Sequence, residues 1–262
     1  MDKMAYSWCC CCLLILLGVV YYPKLFPQNN GNEMLLAEWD QELNDNNFNN
    51  NRINGHEYVD LGLSVKWATC NVGASKPEKY GSYYSWGEIE PKEKYDCKSI
   101  TLEKEMQDIS GNPAYDVAKA QWGGNWRMPT KEDFEELEKH CKFKVVYKNI
   151  FAKLLKISSQ IKGVKVISKT NGNSIFLPAA GGYGSLCNKK KPYERGKSCY
   201  YWSSTPDLEE EGNVSAYCFY AADYSGSNII SSIMACLLFW DADHRLVSLT
   251  RYDCRQVRPV MD

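Results

Sequence analysis

The chain lacks the features that most directly indicate catalysis or nucleic-acid binding. Its 262 residues include 31 Lys and Arg against 32 Asp and Glu, so the net charge is only -1. Such a chain, with scattered basic residues, cannot neutralise many phosphates, which argues against nucleic acid as a partner. It has no GxSxG, HExxH or GxGxxG pattern, and His56, His140 and His244 stand far apart. We therefore expect no enzymatic activity, no catalytic residues, no metal and no cofactor.

Cysteine pairs with metal-binding or redox spacing are also missing. Four of the twelve cysteines are adjacent at positions 9–12, where neighbouring helical side chains could not close one tetrahedral metal site. The others form no CxxC pair, which excludes zinc-ribbon and thioredoxin-like sites. They are Cys70, Cys97, Cys141, Cys187, Cys199, Cys218, Cys236 and Cys254. Disulfides would suit an exported protein, but the sequence does not choose among the pairings.

An apolar stretch opens the chain. No charged residue lies between Lys3 and Lys24, and positions 8–22 read WCCCCLLILLGVVYY. As a helix rising about 1.5 Å per residue, this stretch could just cross a hydrocarbon core of about 30 Å. Residues 1–23 are therefore predicted to be a signal peptide or a membrane anchor. The small residues of a cleavage site are missing, so the sequence favours an uncleaved anchor.

Residues 24–54 are predicted to be a flexible spacer. The stretch 44–54 reads NDNNFNNNRIN and holds seven asparagines with little to bury. Such a composition cannot offset the entropy lost on ordering. The domain after this spacer would therefore be displayed on a tether.

Five segments of the remaining chain join aromatic residues or strand formers to Pro, Gly or Asn. They are WATCNVGA (67–74), NWRMPT (125–130), NGNSIFLPAAG (171–181), YWSST (201–205) and QVRPV (256–260). This chemistry is typical of turns and packed corners, not of nucleophiles and bases. We therefore predict structural roles for Trp67, Trp126, Arg127, Pro129, Trp202 and Arg258. The two arginines would need paired donors if they are buried.

Several of these segments together resemble a known family. GHEYVDLGLSVKWATCNVGA (55–74), YSWGE (84–88), WGGNWRMPTKEDFEEL (122–137) and the terminal VRPV are similar to the Fibrobacter succinogenes major paralogous domain, found in cell-envelope proteins of gut Bacteroidetes. The resemblance implies a C-type lectin-like α+β fold over residues 55–262, with two helices, a paired first and last strand, and a strand-rich, loop-rich second half. It implies no assigned chemistry, and fold analogy alone does not give function.

Local patterns predict the elements of this domain. Helices are expected at Asp116 to Trp122 and from Thr130, whose hydroxyl can cap the first turn with Asp133. The predicted strands are Tyr58 to Leu61, Val65 to Cys70, Val164 to Ser168, Ser174 to Leu177, Tyr200 to Ser203, Ala216 to Ala221, Ile233 to Trp240 and Gln256 to Val260. The Asn171–Gly172 dipeptide predicts a tight hairpin. The resemblance would bring Tyr58 to Leu61 beside Val257 to Val260.

The stretch Lys142 to Gln160 departs from the family pattern. In its second half, Ile150, Phe151, Leu154, Leu155 and Ile157 have lysines between them, an amphipathic pattern that predicts an extra helix packed on the domain. Covering a groove or binding a partner are the alternatives for this insert.

Binding chemistry is concentrated in the last third of the chain. Aromatic faces can stack on sugars or peptides, and carboxylates and amides can orient polar groups. The candidate ligand-binding residues are Tyr220, Asp223, Tyr224, Asn228, Trp240, Asp241, Asp243 and His244, with Arg251 beside them. Trp240 and Asp241 match the calcium motif of true lectins only faintly, because Ala242 comes next. We therefore predict no calcium site.

These patterns favour a non-enzymatic recognition domain, displayed on the cell envelope and anchored or secreted, that binds a glycan or a protein. One alternative is an oxidoreductase of the formylglycine-generating type, for which Cys236 and Cys254 invite comparison although the surrounding motif is missing. Another is a diversified receptor whose segment Tyr217 to Arg255 varies between sister copies.

Overall fold

The computed structural model describes residues 51–91, 106–149, 160–184, 191–209, 214–223 and 242–262. These residues form a mixed α+β structure that is mostly β, with two helices and thirteen strands within these ranges. No helix in this part of the chain is long and apolar enough to span a membrane. The predicted segment 1–23 and the predicted strand 233–240 lie outside the described residues.

The elements succeed one another with short strands at both ends of the domain. The strands are β1 Arg52–Ile53, β2 His56–Val59, β3 Lys66–Ala68, β4 Tyr84–Ser85, β5 Trp126–Arg127, β6 Cys141–Tyr147, β7 Ile161–Ser168, β8 Ser174–Pro178, β9 Ser198–Asp207, β10 Ser215–Asp223, β11 Ala242–Thr250, β12 Cys254–Arg255 and β13 Val260–Met261. The helices are α1 Val117–Trp122 and α2 Lys131–His140. Strand β1 lies within the predicted spacer 24–54, so ordered structure begins before Gly55.

Both helix predictions are confirmed. Asp116 is the N-cap of α1, and its side chain accepts from the Lys119 amide. Thr130 caps α2 in a complete capping box with Asp133, as the sequence indicates. The N-terminus of each helix is therefore fixed by hydrogen bonds within one turn of the chain.

The C-terminal strand lies inside a five-stranded sheet of order β1-β2-β3-β13-β5. Val260 is opposite Trp67 of β3 on one side and opposite Arg127 of β5 on the other. The predicted pairing of Tyr58 to Leu61 with the last strand is wrong, because β2 pairs with β3. Strand β2 is only half-buried, whereas Trp67 and Val260 are fully buried, so the apolar pair occupies the centre of the sheet.

Of the predicted strand Gln256 to Val260, only Val260 lies in a strand, since 256–259 separate β12 from β13. Pro259 has no N–H to donate to a ladder, and this limits the strand to Val260–Met261. In addition, β11 was not predicted by the sequence. It forms a three-stranded antiparallel sheet of order β11-β10-β9.

A second three-stranded sheet has the order β6-β7-β8 and tests the predictions for this part of the chain. The first part of the insert forms most of strand β6, whose residues alternate between buried and exposed and pair with β7. The predicted amphipathic helix, whose apolar residues run from Ile150 to Ile157, lies outside the described residues. The predicted hairpin at Asn171–Gly172 is confirmed, because β7 and β8 pair antiparallel and are joined by 169–173. Within it Gly172 has a φ of 78° and Asn171 does not adopt positive φ.

The sheet β9-β10-β11 separates two apolar cores. Phe219 and Ala221 pack into the first core, which includes Trp67, Phe134 and Phe143. Trp202 and Cys218 pack into the second core, which includes Trp86 and Trp126. We call these sides the first face and the second face of the sheet. Because successive side chains of a strand point to opposite faces, each position of β10 belongs to one face only.

Candidate functional site

The predicted structural residues lie in the interior of the described domain. Trp67, Trp126 and Trp202 have no exposed surface, and Pro129 is buried. The Trp202 indole N–H donates to the Tyr84 carbonyl at 2.9 Å, and the Trp126 indole N–H donates to the Ile53 carbonyl at 3.1 Å. The indoles of Trp202 and Trp126 therefore tie separate segments together, and none of the three rings is available to a ligand.

The two predicted structural arginines hold the C-terminal strand. Arg127 donates to Asp133 at 2.6 Å and to Asp262 at 2.8 Å, which joins β5, α2 and the chain end. Arg258 is fully buried and its Nε donates to Asn71 Oδ1 at 2.9 Å. Its other donors reach main-chain oxygens of Ala68, Thr69 and Phe176.

Burial lowers the pKa of Arg258, because its charge is removed from water. Neutral protein oxygens accept the hydrogen bonds that the guanidinium would otherwise donate to water, so this arginine links separate segments of the chain.

The structure describes four of the eight candidate ligand-binding residues. Tyr220, Asp223, Asp243 and His244 lie at the same end of the β10–β11 pair, where Tyr220 is opposite Arg245 and Asp223 is opposite Ala242. The other four, Tyr224, Asn228, Trp240 and Asp241, lie outside the described residues. The four described residues lie close together along the β10–β11 pair, but two of them are on each face of the sheet.

Asp223 and His244 lie on the first face and contact the protein itself. Asp223 accepts a hydrogen bond of 2.6 Å from the Tyr147 hydroxyl. The His244 ring stacks on Phe143 with centroids 3.9 Å apart, and its Nδ1 is 2.8 Å from the Ala242 carbonyl oxygen. These contacts support packing roles for both side chains.

Tyr220 and Asp243 lie on the second face, within a row of aromatic and charged side chains. Tyr200, Tyr220 and Arg245 are directly opposite one another on β9, β10 and β11. The Tyr200 and Tyr220 ring centroids are 5.2 Å apart, and the Arg245 guanidinium lies 5.4 Å from the Tyr220 ring. Asp243 is 3.7 Å from Arg245, whose side chain is 63% exposed. The row is therefore accessible at its Arg245 end.

A turn before β9 extends the row. The Tyr193 ring lies 6.0 Å from that of Tyr200, and the Tyr200 hydroxyl donates to Glu194 at 2.7 Å. We call Tyr193, Tyr200, Tyr220 and Arg245 the tyrosine face. All three tyrosines are half-buried, so each ring keeps some contact with solvent.

The tyrosine hydroxyls stay protonated at neutral pH. Burial raises the pKa of Tyr193 to about 12. Burial, with the adjacent Glu194 carboxylate, raises the pKa of Tyr200 further, and burial raises that of Tyr220. A protonated phenol offers a neutral donor and acceptor beside its apolar ring.

A buried arginine packs against two rings of the tyrosine face. Arg255 has no exposed surface, and its guanidinium lies 5.1 Å from the Tyr193 ring and 4.9 Å from the Tyr200 ring. It is paired with Asp253 at 2.6 Å and donates to the Tyr183 carbonyl at 3.0 Å. Such contacts orient the two rings before any ligand arrives.

Sequence reasoning missed most of this surface. Tyr193, Tyr200, Arg245 and Arg255 were not candidates, because they meet only through the register of β9, β10 and β11. One of them, Arg255, could have been found from the sequence, because it directly precedes the predicted structural segment QVRPV. Arg251, placed among the binding residues from sequence, is buried and lies 5.1 Å from the Trp86 ring.

The described cysteines are poorly placed for reactivity. Cys70, Cys141, Cys199 and Cys218 are free thiols. Burial raises the pKa of Cys141 to about 11 and those of Cys199 and Cys218 to about 12, which disfavours thiolates. Cys254 is buried with its sulfur 3.2 Å from Ser85 Oγ, and Cys236 lies outside the described residues. The described residues include no group of three possible metal ligands.

The tyrosine face combines flat apolar rings, neutral hydroxyls and charges of both signs. Such a set can stack on a ligand and orient its polar groups. No family model, curated protein or solved structure matches the chain. The argument for function therefore begins from the residues of this surface.

Proposed function

We propose that the chain is an envelope-displayed, non-enzymatic recognition domain that binds a glycan or a protein through its last third. The observation that carries the proposal is the register of Tyr200, Tyr220 and Arg245, which places two rings and a cation side by side on one face. The rigid support of Arg255 lowers the entropy lost when a ligand orders these side chains.

Membership of the Fibrobacter succinogenes major paralogous domain family, with a C-type lectin-like fold, is part of this proposal. Its support is the set of motifs in Gly55 to Ala74 and Trp122 to Leu137. The C-terminal strand lies between β3 and β5, which brings both ends of the domain into one sheet. Display outside the cytoplasm is supported by the apolar, uncharged stretch that opens the chain.

The experiment compares two tyrosines of the same strand. Tyr220 is part of the tyrosine face, whereas Tyr217 lies on the opposite face with the Lys131 ammonium 4.2 Å from its ring. Full-length chain in mild detergent would be tested against a glycan array and purified surface proteins, with Tyr220→Ala, Arg245→Ala and the control Tyr217→Ala.

We expect Tyr220→Ala and Arg245→Ala to weaken binding about tenfold, because stacking and cation–π contacts are lost. Tyr217→Ala should bind like the unchanged protein, and circular dichroism should show that all three variants are folded. Equal binding by folded Tyr220→Ala and Tyr217→Ala would contradict the proposal.

A further inference from the structure

A second group of tyrosines adjoins the tyrosine face. The Tyr83 and Tyr183 ring centroids are 5.0 Å apart, and the Arg195 guanidinium lies 5.0 Å from the Tyr80 ring. Arg195 also donates to the Tyr83 hydroxyl at 3.0 Å. We call Tyr80, Tyr83, Tyr183 and Arg195 the second tyrosine cluster. Tyr80 and Tyr183 are half-buried and Arg195 is exposed, so the cluster reaches the surface.

Three consecutive residues join the two groups. Tyr193 and Glu194 contact Tyr200 of the tyrosine face, and Arg195 contacts the second cluster. Glu194 adopts a φ of 53°, which is uncommon for a residue with a side chain. This backbone conformation sends neighbouring side chains to different clusters.

The connecting turn is held by main-chain bonds and by Arg255. The Tyr193 amide donates to the Gly182 carbonyl at 2.8 Å, and the Gly182 amide donates back at 3.1 Å. A side chain at position 182 would collide with the Arg255 guanidinium, so glycine permits this close approach. Arg255 contacts the Tyr193 hydroxyl and the Tyr183 carbonyl, one in each group. The two groups therefore share one rigid support.

The chemistry of this surface suits a sugar chain. The only large hydrophobic side chain that is exposed among the described residues is Leu208, which belongs to neither group. The two groups therefore present tyrosine rings and charged groups, and neither contains an aliphatic side chain. Tyrosine rings beside carboxylates and guanidiniums suit a ligand with flat C–H faces and many hydroxyls.

We propose that the tyrosine face and the second tyrosine cluster form one extended binding surface for a glycan chain of several sugar units. This inference rests on the proposed function and narrows its ligand to an oligosaccharide. It also extends the site beyond the last third of the chain, since Tyr80 and Tyr83 come from its first half.

The test measures how affinity depends on chain length. Size-fractionated oligosaccharides of mucin, xylan and pectin, from single sugars upward, would be titrated into full-length protein in mild detergent by calorimetry. The variants are Tyr80→Ala and Arg195→Ala. Arg195 is exposed, so its replacement leaves the apolar core unchanged. Arg52→Ala, at an ion pair of β1 and β2, is the matched arginine control.

We expect affinity to rise with chain length, and each variant to weaken binding of the longest bound chain about tenfold. Short chains and the Arg52→Ala control should show no change. Equal affinity for single sugars and long chains would overturn the inference, as would full-strength long-chain binding by Arg195→Ala. Binding to a surface protein but to no glycan would overturn it and leave the proposed function standing. If Tyr220→Ala also changes no binding, the proposed function fails as well.

Discussion

At the scale of single residues, Arg258 tests how much a buried cation contributes to the domain. Its donors reach Asn71 and the main-chain oxygens of Ala68 and Phe176. Arg258→Ala would leave these acceptors without donors inside the protein, so we expect a loss of about 3 kcal/mol or more in the free energy of unfolding. Urea denaturation would measure it. Arg52→Ala, at an exposed ion pair, should cost less than about 1 kcal/mol.

A loss for Arg258→Ala no larger than that for Arg52→Ala would contradict the role given to the buried guanidinium.

Glu138 makes stability depend on pH. Burial raises the pKa of its carboxyl, the charge of His244 opposes this rise, and Oε1 has no hydrogen-bond partner among the described residues. The folded state therefore holds the proton more tightly than the unfolded state. The contribution of Glu138 to stability is largest below the unfolded pKa of about 4.3 and is lost as pH rises through the raised folded pKa.

We expect Glu138→Gln to avoid this loss, because a neutral amide has no charge to desolvate. Urea midpoints should coincide for the variant and the unchanged protein in acid, and the variant should be more stable at neutral pH. Glu132→Gln, an exposed residue of the same helix, is the control. A Glu138→Gln protein that is less stable at neutral pH would refute this account.

Sequence alone predicted part of the residue-scale picture. Trp202 was assigned a structural role from its neighbours in YWSST, and its indole lies fully buried. Tyr200, two positions earlier, was not a candidate, because its proposed binding role depends on Tyr220 and Arg245, which lie on other strands. Residues close together in the chain thus have different roles, which only the strand register separates.

At the scale of elements, the capping box of α2 can be tested by removing one hydroxyl, that of Thr130. The Thr130 hydroxyl accepts from the Asp133 amide at 3.2 Å, and Asp133 accepts from the Thr130 amide at 2.8 Å. Thr130→Ala should cost about 1 kcal/mol, and Thr130→Ser should restore most of it. Thermal unfolding should show a midpoint lowered by about 2–4 °C for the alanine variant. Equal midpoints for alanine and serine would contradict the cap.

Helices were easier to predict than strands because their signals are local. Asp116 and Thr130 each act within one turn of chain, so the sequence around them contains the whole signal. Strand β11 lacks such a signal, since Leu246 packs toward the first core and Val247 toward the second. Apolar residues therefore do not alternate cleanly along it, and its partner β10 is distant in sequence.

At the scale of the whole molecule, the last residues of the chain complete the five-stranded sheet. Val260 pairs with β3 and β5 and is fully buried. Truncation after Pro259 would remove this internal strand and leave β3 and β5 without the strand that pairs with both of them. Since domains are stable by only about 5–15 kcal/mol, we expect loss of cooperative unfolding in near-UV circular dichroism. Asp262→Asn, which changes only an exposed end of an ion pair, should keep the transition.

A cooperative transition retained after truncation would show that the terminal strand is dispensable.

The sheet β9-β10-β11 explains how one domain can combine a rigid interior with a binding surface. Its first face and part of its second face are buried in the two cores. The second face continues past Trp202 into Tyr200 and Tyr220, where the rings become half-exposed. The ligand-binding residues are thus positioned by the same strands that form the core.

Hydrogen–deuterium exchange of the full-length protein, with and without the array glycan that binds most tightly, tests this account most directly. It predicts that the glycan slows amide exchange around Tyr200, Tyr220 and Arg245, and leaves Trp126 to Thr130 unchanged. Slower exchange confined to Trp126 to Thr130, with none along β9, β10 or β11, would contradict it.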